Sequence, residues 1–238
     1  MKKVLLASLL ATTFGVAHAE GLNGNFSLTS DYRFRGISQT QNAAAIQGGV
    51  DYTHASGFYA GNWNSSISSQ MYTNGSGMES DLYAGFKKTV LGLTFDVGSY
   101  NYVYPRSTAS ATTDYDTKEV YVGVAYKELV SFKYSQSLSN YFGIANSRNS
   151  NYYQLDSKVP LAGNLSAVAH IGHTAVNHSS DMNYSDYNVG VVYAVKGWDI
   201  GGRFYTNTGM TSTAKTATTL NGQSLYKNAI VISASKSF

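Results

Sequence analysis

Ala229-Ile230-Val231-Ile232-Ser233-Ala234-Ser235-Lys236-Ser237-Phe238 closes the chain. Counted back from Phe238, alternate positions carry Lys236, Ala234, Ile232 and Ile230. The positions between are mostly small: Ser237, Ser235, Ser233, Val231 and Ala229. A period of two marks a strand whose two faces meet different surroundings. A strand that ends the chain on an aromatic is how bacterial outer-membrane barrels commonly finish. Phe238 is therefore read as a membrane-insertion signal, presented to the barrel-assembly machinery on the C-terminal strand. Lys236 interrupts the apolar face, but near the periplasmic rim a lysine snorkels at a cost of about 0–1 kcal/mol.

The other end of the chain predicts export. Met1-Lys2-Lys3 is a positive n-region, residues 4–16 are largely apolar, and Ala17-His18-Ala19 is a small-x-small cleavage site. This apolar run is too short for a spanning helix. Residues 1–19 are expected to be a cleaved signal peptide and residues 20–238 a single barrel domain. Loss of Lys2 and Lys3 takes the formal charge from +3 to about +1, so no basic face for nucleic acid is expected. Cysteine is absent, which removes disulfides and thiolate metal sites. A mean hydropathy of −0.20 suits strands that give only every second residue to lipid.

The alternation recurs in about twelve segments. Asn25–Gly36 reads as a first strand with Phe26, Leu28, Tyr32 and Phe34 outward and Asp31, Arg33 and Arg35 on the other face. A third strand shows Tyr59, Gly61, Trp63 and Ile67 against Asn62 and Asn64. Connections alternate as well. Short ones fall at 54–57, 88–92, 127–129, 160–164 and 196–197, and long polar ones at 37–42, 68–77, 106–116, 140–149, 176–183 and 209–226. Short periplasmic turns and longer outer loops characterise outer-membrane barrels, and an even strand count returns both termini to the periplasmic side. A soluble β-sandwich or lipocalin-like barrel also alternates. The leader, the terminal Phe238 and the loop alternation together favour an all-β transmembrane antiparallel barrel of the bacterial outer membrane.

Several stretches are similar to one known family. Ser30-Asp31-Tyr32-Arg33-Phe34-Arg35-Gly36-Ile37-Ser38-Gln39-Thr40 resembles the N-terminal signature of the TorF-type porins, a conserved proteobacterial family also carried as Gcw_chp. Residues 58–65, 79–85, 102–105 and 186–190 add further matches. The resemblance implies an outer-membrane barrel with a porin-like label and transfers no catalytic residue.

By this register the inward charges are Asp31, Arg33, Arg35, Asp51, Glu79, Asp81, Lys87, Asp96, Glu119, Lys133, Asp156, Lys158, Asp186, Asp199 and Arg203, nine acids against six bases. They are candidates for lining a lumen, and the acid excess points to a weak cation preference. The alternative is that they pair across strands and plug the barrel. Asp31, Arg33 and Arg35 are candidates for a constriction or for a cross-strand ion network. Tyr59, Trp63, Tyr126, Tyr134, Tyr153, Tyr187, Tyr193, Trp198 and Phe238 suit an interface girdle. Inward Tyr83, Tyr100, Tyr102, Tyr121 and Tyr205 are the candidates for a carbohydrate-binding slide.

His170 and His173, three apart on a strand, face opposite ways and cannot chelate together. His178-Ser179-Ser180-Asp181 holds hydrolase residue types, but adjacency is not triad geometry. Asp114 with Asp116 is weak evidence for a loop cation. The sequence thus predicts a porin-like channel for passive diffusion of small polar solutes or ions, with membrane lipid as partner and no cofactor. A closed or catalytic barrel acting through its outer loops is the alternative.

Overall fold

A computed structural model describes residues 20–72, 75–110 and 113–238; the expected leader, residues 1–19, lies outside them. Twelve strands close an antiparallel barrel. They are β1 (Gly21–Thr29), β2 (Ala45–Thr53), β3 (Phe58–Ser66), β4 (Met78–Val90), β5 (Leu93–Val103) and β6 (Thr117–Tyr126), then β7 (Val130–Ser137), β8 (Asn151–Pro160), β9 (Leu165–Ala175), β10 (Tyr184–Val195), β11 (Trp198–Thr208) and β12 (Ala229–Ser237). Each strand pairs with its sequence neighbours, and β1 closes on β12 with Asn25 opposite Ser237 and Thr29 opposite Ser233. Closure leaves no unpaired edge, the condition for placing strands in hydrocarbon.

Local chemistry makes the tight end. Leu91-Gly92 and Lys196-Gly197 turn with positive φ at both residues, 52° and 81° in the first and 50° and 80° in the second. That is the two-residue hairpin geometry whose twist matches the strands, and glycine at its second position relieves the strain. The opposite end carries the long connections. Thr108–Ser110 pairs with Thr113–Asp114 in one. Another holds the six-residue helix α1 (Ser212–Ala217), capped by the Thr211 side chain accepting from the Ala214 N–H.

Parity holds on eleven of the twelve strands. Outward positions include Leu22 at 74%, Val189 at 59% and Ile230 at 74% exposure, whereas Ser27, Gln47, Glu79, Asp186 and Asp199 on the inner face are buried. Strand β3 reverses the expectation. Tyr59, Gly61 and Trp63 point inward, because the Tyr59 hydroxyl donates to Asp96 at 2.7 Å and the Trp63 ring meets Tyr32 edge-on at 5.4 Å. Asn62 and Asn64 lie on the outer face, where Asn62 donates to Ser80 at 3.2 Å and Ser80 to Asn64 at 2.7 Å. Each outward amide thus finds a partner beside it, which lowers the cost of leaving it there.

Tyrosines fill one side of the interior by lying over inward glycines. A Cβ at Gly61 would stand 2.5 Å from the Tyr83 ring, and one at Gly98 2.6 Å from the Tyr121 hydroxyl; Gly172 is covered by Tyr152 in the same way. Tyr32, Ile67, Tyr72, Tyr102 and Tyr104 form a buried cluster beneath the long loops. Tyr72 and Tyr104 stack at 4.6 Å.

Candidate functional site

The first strand ends at Thr29, not at Gly36 as the alternation suggested. Asp31, Arg33 and Arg35 belong to a hairpin in the β1–β2 connection, where Arg33–Phe34 pairs with Ile37–Ser38. Arg35 (φ 46°) and Gly36 (φ 77°) form its tip, a conformation that stops a strand and reverses the chain. Asp31 holds the base of the hairpin. Its carboxylate accepts from Arg33 Nε at 2.7 Å, Ser38 at 2.6 Å and Thr40 at 3.2 Å. Arg33 is fully enclosed and spends its other donors on the carbonyls of Gly36 and Lys227 and on Asn42 Oδ1.

The hairpin folds into the barrel. Arg35 reaches β6, where it donates to both oxygens of Glu119 at 2.9 and 2.7 Å, and it also donates to Tyr141 at 2.9 Å. Its guanidinium lies 4.2 Å from the Tyr152 ring on β8. The Tyr184 hydroxyl of β10 donates to the Arg35 carbonyl at 2.8 Å, and Asn207 of β11 to the Gly36 carbonyl at 3.0 Å. Four strands therefore grip one tip. Burial pushes the Tyr141 phenol up, against the pull of Arg35.

Below the tip lies a cavity of about 100 Å³ bordered by Arg33, Lys133, Asp156, His170, Asp186 and Arg203. His170 Nδ1 lies 2.6 Å from Asp156 and Nε2 3.0 Å from Asp186, an arrangement satisfied when both ring nitrogens donate. Tyr152 donates to Asp186 at 3.1 Å. Arg203 donates to Asn188 at 3.0 Å. Lys133 lies over the rings of Tyr121 and Tyr100, at 5.3 and 5.8 Å.

The remaining charges predicted to face inward do so, in separate settings. Lys87 and Asp96 pair at 3.8 Å. Glu79 and Asp81 are buried among the tyrosines, each with one oxygen lacking a hydrogen-bond partner. Asp51 accepts from Tyr83 at 2.6 Å. Lys158 and Asp199 face inward on β8 and β11, nearer the short-turn end. His173 points outward to Ser185. The His178 ring contacts the Asn146 carbonyl at 3.0 Å rather than a serine, which dismantles the hydrolase-like stretch. Asp116 accepts from the Tyr104 backbone N–H at 2.7 Å, and Asp114 is exposed, so the two acids serve no common site.

Residues 15–238 match a family model described as a bacterial protein of unknown function, Gcw_chp. The chain belongs to that family. No curated protein matches the sequence. Among solved structures, a KdgM porin is similar with a TM-score of 0.56 at 8% identity, covering 91% of this chain and 99% of that one. A KdgM porin in complex with disordered oligogalacturonate gives 0.54 at 8% identity, with 91% and 98% covered. A NanC porin gives 0.52 at 8% identity, with 92% and 99% covered. At such identities the likeness establishes the fold alone of this Gcw_chp chain, a closed antiparallel barrel like those of the porins.

Two parts of the site escaped sequence reasoning. The carboxylate–imidazole–carboxylate arrangement was accessible in part, since Asp156 and His170 face each other directly across β8 and β9. The inward course of the hairpin was not, although Arg35-Gly36 between Phe34 and Ile37 carries the glycine of a tight turn.

Proposed function

We propose that this protein is a porin-like channel of the TorF type, residing in the outer membrane and passing small polar solutes by diffusion. The observation that carries the reading is the cavity under the hairpin. It is a polar, charge-bordered space inside a closed barrel, narrowed by a loop held to four strands. A barrel of twelve strands lies between side-chain-filled barrels and wide aqueous channels, so an inserted loop is enough to set its bore. Passage requires no covalent step and no cofactor. Lipid surrounds the outward face, and the C-terminal strand ending at Phe238 serves assembly.

The nine-to-six excess of acids gives a weak cation preference when summed over the interior, but that sum does not describe the cavity. Glu79 and Asp81 are enclosed by tyrosines, and Asp31, Asp156 and Asp186 already accept hydrogen bonds. The groups around the cavity therefore set selectivity there.

The second reading is a closed barrel working through its outer loops, favoured by the Arg35–Glu119 bridge across the interior. Planar-bilayer conductance of the purified protein separates the two. Discrete steps are expected for the channel. A folded, heat-modifiable barrel without conductance establishes the closed one.

A further inference from the structure

Donors and acceptors around the cavity are unequally used. The acceptors are taken: Asp31 by Arg33, Ser38 and Thr40, Asp156 by His170 and Gln154, and Asp186 by His170 and Tyr152. The guanidiniums of the hairpin are taken too, Arg33 by Asp31 and backbone carbonyls and Arg35 by Glu119. Two cations remain. Lys133, 8% exposed, has neither a hydrogen bond nor an acid within 4.0 Å among the described residues; it lies over the Tyr121 and Tyr100 rings, with Asp156, Glu119 and Asp96 at longer range. Among the described residues Arg203 bonds Asn188 alone, which leaves most of its five N–H donors unused there. Both border the same cavity.

A buried cation whose nearby acids are hydrogen-bonded to other groups keeps a cost of burial, and an anion in contact with it would lower that cost. We infer that this cavity binds a small monocarboxylate, gripped by the Arg203 guanidinium with Lys133 supplying the second charge. The planar fork of arginine matches a carboxylate through two parallel hydrogen bonds, whereas lysine acts as a point charge. The three carboxylates around the cavity, Asp31, Asp156 and Asp186, repel a second full negative charge, which disfavours phosphate. The Tyr205 ring, also at the cavity, offers apolar surface to a short carbon skeleton. This inference shares the cavity with the channel reading, but binding does not depend on conduction.

The test is calorimetric titration of the detergent-purified protein with sodium lactate at low chloride, beside glycerol, ethanolamine and inorganic phosphate. Saturable heat is expected for lactate, with at least tenfold weaker binding by phosphate and none by glycerol or ethanolamine. Arg203→Gln should weaken lactate at least tenfold, with Arg203→Lys between it and the wild type; heat-modifiable gel mobility checks that each variant is folded. No saturable lactate heat in the wild type overturns the inference. Lactate binding unchanged in both Arg203→Gln and Lys133→Met overturns it too, as does phosphate binding tighter than lactate. Conductance without lactate binding keeps the channel and removes the anion site, whereas lactate binding without conductance does the reverse.

Discussion

Arg35 and Glu119, 84 residues apart in sequence, join a loop tip to the barrel wall through two N–H···O bonds of 2.9 and 2.7 Å. Both side chains are buried, at 6% and 2% exposure. Removing one partner of a buried pair costs about 3–5 kcal/mol, because the other charge is left uncompensated. Arg35→Met should therefore lower the temperature of heat modification and raise conductance several-fold as the hairpin loosens. Arg35→Met with Glu119→Gln should recover much of the lost stability, since neither charge is stranded. Unaltered conductance in the single variant would place the hairpin outside the solute route.

The two tryptophans report the reversed face of β3. Trp63 is inward and Trp198 outward, close to Phe26 at 6.5 Å. In bilayers of brominated lipid, Trp63→Phe should lose most of its emission, because the remaining Trp198 meets acyl chains. Trp198→Phe should keep its emission. Comparable loss of emission in both variants would restore the facing first read from alternation, with both rings in lipid.

Gly61 is a steric test of the interior. Its Cβ would fall 2.5 Å from the Tyr83 ring and 2.6 Å from Asp51 Oδ1. Overpacking of this kind costs about 1–3 kcal/mol. Gly61→Ala should lower the unfolding midpoint in urea accordingly, and adding Tyr83→Ala should return part of the loss. Full stability of the single variant would mean that the ring moves aside freely.

Phe238 tests assembly. It is 75% exposed on the outer face, and its backbone exchanges hydrogen bonds with Gly24 at 3.0 and 2.7 Å. Phe238→Ala keeps that backbone pairing, so refolding from urea into detergent should be nearly normal. The heat-modifiable fraction recovered from outer membranes should fall several-fold if the ring is an assembly signal. Equal recovery in cells would confine the ring to packing against lipid.

Much of the barrel was legible because period two is imposed by lipid on one side and water or side chains on the other. Leu82, Ala84 and Phe86 against Asp81, Tyr83 and Lys87 could be read directly. Strand β3 failed because its outward side holds Asn62 and Asn64, whose amides are satisfied by each other and by Ser80. Polarity there no longer reports facing. The hairpin failed for a different reason. Asp31, Arg33 and Arg35 continue the parity of β1 along the chain, while the turn at Gly36 and the partner Glu119 are set by tertiary structure. The cavity followed from that missed fold-back, so its residues were named individually but not as a group.

The glycines under the tyrosine rings have a consequence for how such a protein changes over time. Strand number fixes the diameter of a barrel wall, but the space left inside depends on how flat the inner rings lie. Tyr83 rests on Gly61 and Tyr152 on Gly172. One methyl group added at either glycine tips a ring toward the axis, and one ring shortened frees the same room. A lineage can thus retune the free space inside the wall by single codon changes, with every strand pairing kept.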